Sequence, residues 1–145
     1  MELQLFGINH KTSDVSEREK FIINESNQIL LDSHLKNIFN AKLESFFGIS
    51  TCNRTEFYYF GELSISSTIF GEVMNILGND DIDKSNFYFL DGHDALVHMC
   101  KVASGIDSQV LGEQEILGQF KKALKIAQEI NTVRGKLLTL SNKVL

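Results

Sequence analysis

Proline is absent from the 145 residues, although average usage near 5% would supply about seven. Polyproline linkers are thereby excluded, and turns fall to Gly, Asn and Asp. Cysteine is scarce: Cys52 and Cys100 are the only two, which is no disulfide framework and predicts a reducing, cytoplasmic setting. No apolar run approaches the ~18 residues of a membrane span, so no integral membrane protein is expected. The N-terminal MELQLFGINHKT lacks a basic start, a long apolar stretch and a small-residue cleavage site, so no secretion signal is expected. Neither G-x-G-x-x-G nor a P-loop occurs, so nucleotide binding by this segment is not indicated. His10, His34 and His93 show no metal-ligand spacing with either Cys, and no zinc site is expected.

What is present describes one ordinary domain. The length suits a single core, and 43% hydrophobic with 23% charged residues is a globular balance. The net charge of −5 is wrong for sequence-blind binding to a nucleic-acid backbone. Charge is uneven, however. Residues 1–100 hold 7 Lys/Arg against 15 Asp/Glu, whereas 101–145 hold 7 against 4. The basic end is either a solvated helix face or a surface near a polyanionic partner.

Along the chain, ELQLFGI (2–8) is apolar on both sides and predicts a strand covered on both faces. Ser13 or Asp14 can cap a short helix from Val15. Ile29, Leu30, Leu35, Ile38 and Phe39 predict the buried side of a helix over 25–39. LESFFGIS (43–50) and TEFYYFG (55–61) read as a hairpin whose turn holds Cys52, Asn53 and Arg54. A helix over 63–77 should end at Gly78, a strand should occupy 85–92, and a helix should run over 93–105. An apolar stripe from Ile116 to Ile130 predicts another helix over about 109–131. The last segment, apolar at Val133, Leu137, Leu138 and Leu140, reads as a helix running off the end of a longer protein. The order suggests α+β: a ferredoxin-like four-stranded antiparallel sheet with helices packed on one face, followed by C-terminal helices.

Several residues could carry chemistry. Cys52 in ISTCNRTEF is either a small buried thiol or a nucleophile, with Thr51 and Asn53 offering hydrogen bonds and Arg54 a permanent charge. Cys100, among the helix residues LVHMCKVA, reads as core filler. Arg54 is either a surface ion-pair member or a bidentate clamp for a carboxylate. His98 falls on the flank of its helix, structural or a general acid/base. The run ASGIDSQVLGEQEILGQ (103–119) is either a loop and cap or a polar wall for a charged ligand.

Three motifs coincide with one family. GINHKT (7–12), STCNRTE (50–56) and H-x-x-x-VASG-x-DS-x-VLGE-x-x-ILGQ-x-K (98–121) together resemble the glutamyl-tRNA reductases of tetrapyrrole (5-aminolevulinate, porphyrin) biosynthesis, in the family's order and spacing. The resemblance covers essentially all of residues 1–145, as an N-terminal catalytic domain. It implies NADPH-dependent reduction of glutamyl-tRNA to glutamate-1-semialdehyde through a cysteine thioester. Cys52 would be the nucleophile and His98 the acid/base. Thr51, Asn53, Arg54, Ser108, Glu113, Gln114, Glu115 and Gln119 would contact substrate. Glu115 departs from the family's usual Gln and adds a negative charge beside a substrate carboxylate. The resemblance further implies NADPH-binding and dimerisation domains outside this chain, a homodimeric whole protein, and an aminomutase receiving the aldehyde. Two other readings stand beside it: a non-enzymatic amino-acid-binding regulatory module on the same fold, and a general cysteine acyl hydrolase using Cys52 and His98 without Arg54.

Overall fold

The computed structural model describes residues 1–78 and 82–104, with residues 121, 122, 124, 125, 128, 129, 139 and 143 beyond them. Strand β1 is Glu2–Asn9, buried at every position after the first, as the two-sided apolar pattern predicts. Helix α1 (Val15–Glu19) starts where the Asp14 side chain accepts from the Glu17 amide, a local capping bond. Helix α2 (Glu25–Phe39) opens on a reciprocal capping box between Asn24 and Asn27. Strands β2 (Leu43–Ser50) and β3 (Arg54–Gly61) form the expected hairpin. Helix α3 (Ser66–Ile76), strand β4 (Tyr88–Asp91) and helix α4 (Gly92–Ala103) follow.

The four strands form one antiparallel sheet in the order β2-β3-β1-β4, an α+β architecture. Alternation along the strands divides the core in two. Phe6, Ile8, Phe57 and Tyr59 face one way and pack with Leu31, Leu35, Ile69 and Val73 from α2 and α3. Leu3, Leu5, Tyr58 and Phe60 face the other way and pack with Ala95, Met99 and Val102 from α4. The expectation of helices on one face describes α2 and α3; α4 occupies the opposite face. Leu124 is helical and buried in the same second cluster, while most of the expected 109–131 helix lies outside the described residues. Among the described residues no helix is long and apolar enough to cross a membrane.

Three further expectations need correction. The buried side of α2 is Gln28, Leu31, Leu35 and Phe39, whereas Ile29, Leu30 and Ile38 are exposed. Apolar residues occur around most of this helix, and the buried set follows the i, i+3, i+7, i+11 row. Gln28 is admitted because its side chain accepts from the Gly48 amide at 3.2 Å. The strand expected over 85–92 is shortened to 88–91, since Asp83 accepts from both the amide and hydroxyl of Ser85 and winds 84–86 into a 3₁₀ turn. Cys100 is exposed rather than core filler: buried Met99 precedes it by one position, which turns Cys100 about 100° off the packed side.

Gly7 sits in β1 opposite Glu56 of β3 and Tyr88 of β4. A Cβ there would lie 2.6 Å from the Thr55 carbonyl oxygen and 2.7 Å from Glu56 Cγ. Gly7→Ala will therefore destabilise the fold by about 1–3 kcal/mol, measured as a lower urea midpoint with unchanged slope. The same substitution at Gly71, which has open space around it, will be neutral or stabilising because it removes a helix-interior glycine.

Candidate active site

The hairpin tip is built from its own sequence and then gripped from outside. The Thr51 amide donates to the Arg54 carbonyl at 2.8 Å, and Thr51 Oγ1 accepts from the amides of Asn53 and Arg54 at 3.1 and 3.2 Å. A threonine hydroxyl thus closes the turn. Both central carbonyls of the tip then receive outside donors. The His10 amide donates to the Asn53 carbonyl at 2.9 Å, and Arg18 Nε donates to the Cys52 carbonyl at 3.1 Å. His10 is in place because Asn9 turns the chain after β1, its side chain accepting from the Lys11 amide and its carbonyl from the Thr12 and Ser13 amides.

Cys52 is a free, exposed thiol, which excludes the buried-thiol reading. It borders a cleft of about 320 Å³ with Val15, Arg18, Glu19, Ile22, Ser50, Thr51 and Thr55. Cys52 and Thr51 are thus brought together, as expected. Arg54 and His98 are brought together elsewhere, on the α4 face, and neither lines that cleft.

Arg54 begins β3 rather than ending the turn, and register with Asn9 fixes its side chain on the sheet. It is only 1% exposed, so a surface ion pair is excluded. Its Nη1 lies 3.5 Å from Glu56 Oε2. Glu56 is fully buried two residues on, on the same strand face. His98 Nε2 and the Tyr88 hydroxyl both bond Glu56 Oε2, and the Tyr58 hydroxyl donates to Oε1 at 2.9 Å. His98 is thereby tethered at a single ring nitrogen, and its ring also lies 5.1 Å from that of Tyr88.

Two opposed effects act on Glu56. Burial pushes its pKa up, but the hydrogen bond and charge of His98, then the Arg54 charge and the Tyr88 hydrogen bond, outweigh burial and leave it below the ordinary 4.5. Burial and the Glu56 charge hold Tyr58 well above its ordinary value of 10.0, so this phenol remains a donor. A carboxylate that orients one imidazole nitrogen can fix the ring for proton transfer at the other.

Sequence reasoning missed Glu56, Tyr88 and Arg18. For Glu56 a signal existed: Arg54, Glu56 and Tyr58 share a period of two, placing opposite charges on one strand face. Arg18 had no local signal, since its partner is 34 residues away. Ser108, Glu113, Gln114, Glu115 and Gln119 lie outside the described residues, and Asn53 contributes its backbone to the tip. Among the described residues no group of three or more His, Cys, Asp or Glu side chains could hold a metal.

Because the folded-state pKa of Glu56 is depressed, its ionisation stabilises the fold above the unfolded carboxyl's pKa. That contribution is lost as pH falls through the lower folded value. Glu56→Gln will cost about 1–3 kcal/mol at pH 7. It will also flatten the decline in stability below about pH 4.5, both read from denaturation midpoints across pH 3–7.

Comparison with known proteins places this geometry. The profile of the glutamyl-tRNA(Glu) reductase N-terminal domain matches residues 6–145. Glutamyl-tRNA reductase of Idiomarina loihiensis is 37% identical over 140 residues, a match spanning 94% of this chain and 32% of that protein. The Aquifex aeolicus protein of the same name is 35% identical over 139 residues, spanning 94% and 33%. The solved structure of glutamyl-tRNA reductase from Methanopyrus kandleri superposes with a TM-score of 0.74 at 30% identity, covering 98% of this chain and 32% of that one. The chain thus spans about a third of the length of these relatives. With a profile match over nearly its whole length, the chain belongs to the glutamyl-tRNA reductase family, as its N-terminal domain.

Proposed function

We propose that this chain is the catalytic, thioester-forming domain of a glutamyl-tRNA reductase in tetrapyrrole biosynthesis, acting in the cytoplasm on glutamyl-tRNA. The observation that carries the reading is the exposed Cys52 thiol at the mouth of a cleft, in a chain of this family. The Cys52 thiolate attacks the carbonyl carbon of the glutamyl ester and forms a C–S bond. The carbonyl pair moves to oxygen and returns as the C–O bond to the ribose breaks. The departing ribose oxygen takes a proton, and tRNA leaves with the glutamyl group held as a thioester. A thioester is more readily reduced than an oxygen ester, so the capture divides one hard step into two easier ones.

His98, held by Glu56 on the α4 face and not in the Cys52 cleft, is assigned proton transfer in this scheme on the motif match. Thr51 and Asn53 lie at the tip and are assigned to substrate; Arg54, buried against Glu56, is assigned to a substrate carboxylate on the motif match alone. Ser108, Glu113, Gln114, Glu115 and Gln119 are assigned to the same role on the motif match alone.

Reduction to glutamate-1-semialdehyde is assigned to NADPH, which supplies a hydride when bound. An all-antiparallel sheet among the described residues offers no strand–glycine turn–helix cradle for a dinucleotide. The residues here do not fit that group, and its binding is assigned to a further domain, as is dimerisation. Transfer of the aldehyde to an aminomutase completes the proposed setting. We also read the β2-β3-β1-β4 order with its β-α-β-β-α-β connection as ferredoxin-like; the strand order supports this.

Mixed with glutamyl-tRNA alone, the chain will form a Cys52-linked glutamyl thioester or slowly hydrolyse the ester, and no aldehyde will appear. Cys52→Ser will abolish thioester formation while keeping the native circular-dichroism spectrum. His98→Asn will slow it by about 10²–10⁴-fold. Undiminished deacylation by Cys52→Ser would falsify the proposal, and a parental chain that forms no thioester and deacylates nothing would return the amino-acid-binding module as the better reading.

A further inference from the structure

Arg18 belongs to no motif assigned above, yet its surroundings are unusual for a cation. The residue is 6% exposed. Its Nε donates to the carbonyl of Cys52 and its Nη1 to the carbonyl and hydroxyl of Ser13, at 3.1, 2.7 and 3.4 Å. All three acceptors are neutral oxygens. Among the described residues no carboxylate lies within ion-pair distance of it. A buried charge normally has an opposite charge beside it, because neutral partners compensate only part of its lost hydration. Arg18 also lines the cleft onto which Cys52 opens, where it is the one cation among the lining residues and Glu19 the one carboxylate. Arg54, by contrast, already faces the carboxylate of Glu56.

We propose that Arg18 is a positioning residue for Cys52 and the cation of its cleft. It fixes the backbone of the sulfur-bearing residue through the Cys52 carbonyl and sets a positive charge where negative charge develops during acyl capture. The bond goes to the carbonyl of the nucleophile's own residue. A shift of α1 would therefore move the sulfur directly, and misplacement by about 1 Å can cost ~10²-fold in rate. The local charge acts on the thiolate and on the tetrahedral oxyanion that follows it. The inference rests on Cys52 being the nucleophile, so its test needs one arm that does not.

That arm is alkylation in a Cys100→Ser background, comparing anionic iodoacetate with neutral iodoacetamide at Cys52. A cation in the cleft favours the anionic reagent. Arg18→Gln will lower the iodoacetate-to-iodoacetamide rate ratio by about fivefold, while Arg18→Lys will hold it within about twofold. The second arm is single-turnover acylation by glutamyl-tRNA. Arg18→Gln will lower the maximal rate by about 10²-fold with the half-saturating tRNA concentration within about threefold. Arg18→Lys, keeping the charge and losing the fork, will fall between.

Melting curves will show whether each variant is folded. Should Arg18→Gln fail to fold, Arg18→Lys carries the test through its kept ratio and slowed acylation. Folded variants with parental ratio and parental acylation would overturn the proposal, and so would a change confined to half-saturation. Persisting acylation in Cys52→Ser would instead sink the nucleophile assignment, and the alkylation ratio would still report on Arg18.

Discussion

A carboxylate with no exposed surface organises the α4 side of this domain. Glu56 occupies the space that Gly7 leaves by lacking a side chain, in the row where β4, β1 and β3 present Tyr88, Gly7 and Glu56 side by side. An ionised group in that position is tolerable only with a full set of partners. It has them: a guanidinium on its own strand, two phenols and an imidazole. Removing any one of them leaves a buried charge less compensated, so the sheet register, the seat of α4 and the orientation of His98 are energetically one unit.

The hairpin tip is organised differently. Its two central residues point their carbonyls outward, and each is met by a donor from the first twenty residues, the His10 amide and the Arg18 side chain. That explains why the segment after β1 accompanies the cysteine motif. It supplies a turn at Asn9 and a short helix whose single buried residue is Arg18, and both act on the tip. The two buried arginines thus differ: Arg18 bonds the tip through neutral oxygens, whereas Arg54 faces the Glu56 carboxylate. The thiol is exposed and opens on the cleft that Arg18 lines. Family membership and this geometry support one another, since two of the motifs that identify the family, 7–12 and 50–56, meet at the hairpin tip.

The strand pattern was legible in the residues themselves because strands alternate. Two-sided burial of β1, the 43–61 hairpin and the α+β order follow from apolar spacing and turn chemistry that need no distant partner. Helix α2 was legible as a helix but not in its orientation. Its apolar residues occur around most of the helix, and only packing against β2, with Gln28 bonded to Gly48, selects the buried row. The thiol was legible as a candidate, and three short motifs in order identified the family.

The sequence by itself determined which residues could do chemistry, because residue type limits nucleophiles, bases and cations to a few positions. Only the tertiary structure decided which of them meet. Arg54 became a buried partner of Glu56 because strand register, set across 45 residues by its pairing with Asn9, turned it onto the sheet face. Arg18 reached Cys52 because a helix near the start of the chain docks beside a turn far along it. Contacts of that separation carry no local periodicity, so they emerge when the whole chain has buried its apolar surface and the polar groups must find partners in what remains.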